Sequence, residues 1–145
     1  MSMEEYKLSV EAEPDPQEVQ FVVGRLISYN TSKAEPENYK PLAVFLRDAA
    51  ESAVVGGLLG YTHWGWLYLS HVWLTEKLRG GGYGRRLIEA AEREAVSRGC
   101  RHAYLETHSF QARGFYEKLG YEVFGALEDY PAGETRYFLR KRNLA

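Results

Sequence analysis

The spacing of apolar residues changes period along this chain, and each change marks an element. Val19, Val22, Val23, Leu26 and Ile27 recur at i, i+3, i+4, i+7 and i+8, which is one face of a helix. Asp15-Pro16-Gln17-Glu18 supplies its start: a capping aspartate, proline at the first helical position and glutamate three residues after the cap. Before it, Tyr6 to Glu13 alternates weakly, as an edge strand would. After it, Thr31 to Pro41 is polar and holds two prolines, which predicts a loop or a broken second helix.

From Leu42 the period becomes two. Leu42 to Arg47 reads as a strand, Asp48 to Ser52 as a turn, and Ala53 to His63 as a strand weakened by Gly56, Gly57 and Gly60. Trp64-Gly65-Trp66 predicts a tight connection to a strand over Leu67 to Leu74. The next helix runs from Gly84 to about Arg98, with Leu87, Ile88, Ala91 and Ala95 facing inward. Glu89–Arg93 and Glu94–Arg98 stand as i,i+4 pairs, and Gly99 ends the helix. A strand over His102 to His108, a short helix over Gln111 to Leu119, a strand from Tyr121 to near Tyr130, a Pro131-Ala132-Gly133 turn and a strand over Thr135 to Arg142 complete the order. The expectation is a mixed α/β (α+β) fold. A mostly antiparallel sheet, with parallel pairing around the helix after Gly84, is flanked by helices in one domain over residues 1–145.

Composition narrows the class without naming a chemistry. The 145 residues suffice for one domain with a real core, and 45% hydrophobic with 26% charged residues is ordinary for a globular protein. A net charge of −2 argues against nucleic acid as a bulk electrostatic partner. The charge is uneven. Glu4, Glu5, Glu11, Glu13, Asp15 and Glu18 make an acidic start, while Arg136, Arg140, Lys141 and Arg142 make a basic end that an exposed strand explains. No apolar run is long enough for a membrane span, Met1 to Tyr6 has no leader-like pattern, and a single cysteine, Cys100, fits a reducing compartment. A cytoplasmic protein with no membrane partner is expected. The four histidines and one cysteine form no metal-ligand pattern, so no metal is expected.

The chemistry enters at Arg79-Gly80-Gly81-Gly82-Tyr83-Gly84-Arg85, between β-formers and the second helix. Glycines there leave backbone N–H groups open at a helix start that carries partial positive charge, which suits phosphate. A dinucleotide G-x-G-x-x-G is excluded, because Arg85 or Leu87 falls where the third glycine is needed. A Walker loop is excluded because no lysine follows the glycines. What remains, Arg79-x-x-Gly82-x-Gly84, resembles the Arg/Gln-x-x-Gly-x-Gly/Ala motif of the GNAT N-acetyltransferases. A second stretch resembles the same family: Ala112, Tyr116, Gly120 and Tyr121 match its later motif in register, with Ser109 where asparagine is commonest.

The resemblance implies a GNAT-like fold and acetyl-CoA as co-substrate. It places the pyrophosphate on the amides around Gly80 to Arg85, and the pantetheine arm along the central strand near Val72, Trp73 and Leu74. It makes Tyr116 the acid beside the coenzyme sulfur. Arg79 and Arg85 either add charge to the phosphate site or are simply solvated. The implied reaction is transfer of acetyl to a primary amine of a small molecule by direct attack in a ternary complex. A protein or peptide lysine, or a non-catalytic acyl-CoA sensor, is the alternative. An amine with pKa near 10.4 is only about 0.1% neutral at pH 7.4, a handicap of about 4 kcal/mol that a base would offset. No carboxylate occurs between Trp64 and Thr75, so Tyr68, His71, Glu106 and His108 are the nearby groups, and the base stays unassigned. Strict alternation would point His71 away from Tyr68 and Val72. Trp64, Trp66, Tyr68 and Tyr130 are candidate walls of the acceptor pocket; the two tryptophans and Tyr130 serve equally as core or as contacts of a homodimer.

Overall fold

A computed structural model describes residues 5–144. Glu4 of the acidic start and most of the Met1–Tyr6 segment lie outside the described residues. The chain divides into two compact units, Met1–Pro36 and Glu37–Ala145.

In the first unit, α1 (Pro16–Lys33) starts where the capping pattern places it, with the Asp15 carboxylate accepting from the Gln17 amide at 2.8 Å. One expectation fails here. Tyr6 to Glu13 forms no strand, because a strand exists only by pairing and this segment joins no ladder among the described residues. The apolar stripe of α1 is present in sequence, yet no α1 residue is buried, since one helix has no second layer within its own unit.

The second unit is a six-stranded sheet in the order β1-β2-β3-β4-β6-β5, formed by β1 (Lys40–Arg47), β2 (Val54–His63), β3 (Trp66–Leu74), β4 (His102–His108), β5 (Glu122–Glu128) and β6 (Thr135–Arg142). Every neighbouring pair is antiparallel except β3 and β4. That exception follows from the connection: α2 (Tyr83–Ser97) carries the chain back across the sheet, so the next strand enters in the same direction.

The predicted inward face of α2 is the buried one, with Leu87, Ile88, Ala91 and Ala95 packed with Leu58, Leu67, Leu69, Leu105 and Leu139 in one core. Each such leucine contributes about 1.5–3 kcal/mol by leaving water. Of the two ion pairs read on this helix, Glu94–Arg98 forms at 2.7 Å. Glu89 instead pairs with Arg85 at 3.5 Å, one turn toward the helix start. Arg98 also ties the helix end to the sheet, its guanidinium donating to the Lys40 and Pro41 carbonyls and to Thr62 Oγ1.

Candidate active site

The site begins with an irregularity in β3. The β2–β3 register passes from Gly60↔Leu69 to Leu59↔His71, so Ser70 is one residue more than its partner strand supplies. The Ser70 hydroxyl donates to the Leu59 carbonyl at 3.0 Å and holds this bulge. Gly60 permits it, since a Cβ there would come within 2.0 Å of the Tyr68 carbonyl oxygen. The glycines of β2, read from sequence as weaknesses, therefore include one required by close approach.

The bulge resets alternation. Leu67 and Leu69 are buried, and Val72 and Leu74 rather than His71 and Trp73 continue their face against the core. His71 thus joins Tyr68 on the opposite face, pairing with Leu59 as Tyr68 pairs with Tyr61. The expectation that His71 points away from Tyr68 is corrected by that single extra residue. The break was visible as apolar positions 67, 69, 72 and 74, a change of parity at Ser70.

Beyond the bulge the sheet opens. The β3–β4 ladder covers only Trp66–Leu69 against His102–Leu105, and the strands part after it. A cavity of about 560 Å³ lies in this gap, lined by Ser70, His71 and Val72 from one side and Glu106 and Thr107 from the other, with Ala112 and Tyr116 closing it. A neighbouring cavity of about 460 Å³ shares Val72, Trp73, Leu74, Arg79 and Tyr116 and reaches the glycine turn at Gly80, Gly82, Gly84 and Arg85.

The turn has the local character expected of it. Gly80 and Gly82 take φ of 80° and 86°, a region that side chains disfavour, and Gly82 is the N-cap of α2. No side chain caps this helix start, and no acidic residue stands in its first turn. Its amides and dipole are therefore left for an anion, which fits a pyrophosphate-bearing ligand. A Cβ on Gly84 would meet the Phe115 ring at 3.0 Å, so that glycine serves the packing of α2 against α3 (Arg113–Lys118). Arg79 Nε donates to the Leu74 carbonyl at 3.2 Å and pins the turn to the end of β3. Gly81 and Tyr83 belong to the turn without lining the cavity; the Tyr83 ring carries the Arg86 guanidinium at 5.4 Å.

Tyr116 lines both cavities, is buried, and has its hydroxyl pKa raised by that burial. It stays protonated at neutral pH. The four residues read as acceptor walls are not brought together. Trp64 and Trp66 line a separate cavity of about 480 Å³ with His63 and Tyr104, at the start of β3. Val72 lies six residues beyond Trp66 in β3, roughly 20 Å along the strand. Tyr130 packs against His108 at 5.8 Å and under the Arg136 guanidinium at 4.8 Å. Tyr68 is the one that reaches the gap's edge: its hydroxyl donates to Glu106 Oε2 at 2.6 Å. Burial first, and this bond second, raise the Tyr68 pKa well above that of an ordinary tyrosine.

Glu106 gathers a cluster that the sequence did not reveal. Arg136, from the far strand β6, lies 3.6 Å from Glu106 Oε1, and the two side chains are only 25% and 18% exposed. Residues 68, 106 and 136 come from three strands, and only the register of the sheet brings them to one face. His108 is turned elsewhere, stacking on Phe110 at 5.1 Å with Nδ1 3.1 Å from Gln111 Oε1. Ser109, at the position where the resemblance leads one to expect asparagine, donates its hydroxyl to Glu134.

Comparison with known proteins identifies the family. The acetyltransferase (GNAT) family model matches residues 7–121. The chain belongs to that family, and it is an acyltransferase with acetyl-CoA as co-substrate. Blasticidin-S acetyltransferase of Streptomyces morookaense is 39% identical over 105 residues, covering 70% of this chain and 77% of that protein. An acetyltransferase of Agrobacterium fabrum is 34% identical over 117 residues, covering 81% and 85%. The crystal structure of an acetyltransferase from Bacillus cereus has a TM-score of 0.85 at 29% identity, over 92% of this chain and 97% of that one.

Proposed function

We propose that the protein N-acetylates a primary amine on a small molecule, by direct attack within a ternary complex, as one domain. The observation that carries this is the pair of connected cavities: one ends at uncapped helix amides suited to pyrophosphate, and the other opens between β3 and β4 with a single carboxylate in its wall. Two adjoining cavities with shared walls at Val72, Leu74 and Tyr116 would let two ligands meet end to end. The relative that acts on blasticidin S supports a small acceptor.

Gly80, Gly82, Gly84 and Arg85 would hold the phosphates, with Val72 and Leu74 beside the pantetheine arm. The co-substrate supplies an activated acetyl carbonyl when bound. The backbone of β3 beyond the bulge has no β4 partner, so its N–H groups on that side are free to donate to a developing oxyanion. Tyr116 keeps its proton and donates a hydrogen bond to the leaving sulfur. Burial makes the Tyr116 hydroxyl a weaker acid than an ordinary tyrosine, so it acts by hydrogen bonding to the sulfur while the C–S bond is breaking.

The test is release of free coenzyme A, with mass spectrometry of the acceptor, over a panel of blasticidin S, kanamycin, spermidine and a lysine peptide. Acetylation of a small amine in preference to the peptide is expected. Preference for the peptide, or cofactor binding with no turnover, overturns the assignment. Tyr116→Phe should lower kcat roughly 100-fold with acetyl-CoA affinity unchanged; equal loss of both would mark Tyr116 as packing.

A further inference from the structure

Glu106 is the only carboxylate among the described residues that line the two connected cavities. It is not placed as a surface charge would be. Its side chain is 18% exposed, Oε2 accepts from the Tyr68 hydroxyl at 2.6 Å, and Arg136 stands 3.6 Å from Oε1, beyond a good hydrogen bond. Oε1 therefore keeps an acceptor site open. Arg136 is itself fixed by the rings of Tyr130 at 4.8 Å and Phe138 at 5.7 Å, and its buried Nε has no hydrogen-bond partner.

We propose that Glu106 is the acceptor-binding and proton-accepting residue of the transfer: its carboxylate receives the substrate's ammonium group in the gap between β3 and β4 and takes its proton. This rests on the amine N-acetylation proposed above. Two features of the cluster favour it. The carboxylate attracts the cationic form, which is nearly all of the amine at neutral pH. Tyr68 and Arg136 flank that carboxylate from two strands, so it meets the amine already oriented. Tyr68 is a positioning residue, because its hydroxyl holds Oε2 and leaves Oε1 for the amine.

The step balances. The ammonium gives one proton to Glu106 Oε1, which later passes it to solvent. The freed lone pair forms the C–N bond to the acetyl carbon, the C–S bond breaks, and its electron pair leaves with sulfur. The nitrogen's second proton ends on that sulfur, with Tyr116 as the hydrogen-bond donor there. Net, one proton is released for each acetamide formed.

The groups facing Glu106 are Tyr68 and His71 from β3, Arg136 and Arg140 from β6, and Tyr104 of its own strand, while His108, two residues on, is turned to Phe110 and Gln111. Arg140 is paired with Glu122 at 3.1 Å and His108 with Gln111, which leaves His71 as the competing base. The pH dependence separates them. An ionised Glu106 with an ammonium ion has the same proton count as a protonated Glu106 with a free amine, so wild-type kcat/KM should be flat from pH 7 to 9. Glu106→Gln can use only the free amine. Its kcat/KM should fall at least about 100-fold at pH 7 and then rise about tenfold per pH unit.

The experiment measures these profiles with blasticidin S and spermidine. Beside them, calorimetry follows binding of each amine to protein saturated with free coenzyme A. We expect Glu106→Gln to lose at least tenfold in amine affinity at pH 7 while acetyl-CoA affinity holds. Tyr68→Phe, which keeps the carboxylate, should raise KM severalfold and leave the profile flat. A flat profile with unchanged amine affinity in Glu106→Gln overturns the inference, as does a profile that becomes sloped only in His71→Gln. Loss of acetyl-CoA affinity in Glu106→Gln also overturns it, by showing that the residue supports the fold. Absence of wild-type turnover with either probe overturns the amine assignment and this inference together.

Discussion

The glycine turn before α2 and the bulge in β3 both bend backbone toward the same cleft, but they acquire their shapes by opposite routes. Gly80 and Gly82 take positive φ, Gly82 caps a helix with a strong internal pattern, and nothing lies within 4 Å of where their Cβ atoms would be. That conformation is local, written in residues that tolerate it. The bulge at Ser70 exists because a neighbouring strand accommodates it, through Gly60 across the ladder and the Leu59 carbonyl that takes the Ser70 hydroxyl. A motif can mark the first kind of bend; the second is a property of two strands at once. The half of the site proposed for the cofactor is of the first kind, and the half proposed for the acceptor is of the second.

Substitutions can break each half separately. The largest effect is expected at Gly82→Val, where a β-branched side chain must adopt φ near 86° and also obstructs approach to the amides. Acetyl-CoA affinity should fall at least about 100-fold by calorimetry, with the sheet intact by circular dichroism; unchanged affinity would remove the phosphate role from the turn. Gly60→Ala should come next and strike the other half. Its Cβ cannot coexist with the Tyr68 carbonyl 2.0 Å away, so the bulge must shift, at a cost of about 1–3 kcal/mol and several degrees in Tm. Acceptor KM should rise more than acetyl-CoA Kd; equal changes would mean the two halves are not separable. Trp66→Ala should do least to turnover, less than threefold in kcat/KM, because its ring lines the separate cavity beside His63. A larger loss would restore Trp66 to the acceptor wall.

Legibility in the sequence follows the same division. α2 was readable because its apolar repeat is long and its face meets a broad sheet, and β4 and β6 emerge with the bounds their alternation sets. The weak alternation of Tyr6 to Glu13 made no strand, since two-residue periodicity describes a face and not a partner. The stripe of α1 likewise describes a face without saying what covers it. Glu106 was one of four nearby polar groups in the sequence. It stands out only when Tyr68 arrives through the parallel β3–β4 register and Arg136 through the antiparallel β4–β6 register.

From the chain alone came the order of elements from α1 onward, the parallel pairing around α2 and the glycine turn. Each depends on contacts within one element or on the direction that a connecting helix imposes. Where β3 and β4 part and which carboxylate lines the gap were decided only in the assembled sheet, and the face that His71 shares left no more than a change of apolar parity at Ser70 in the sequence. One unpaired residue in a ladder inverts the facing of every residue after it, and that residue is defined by its partner strand.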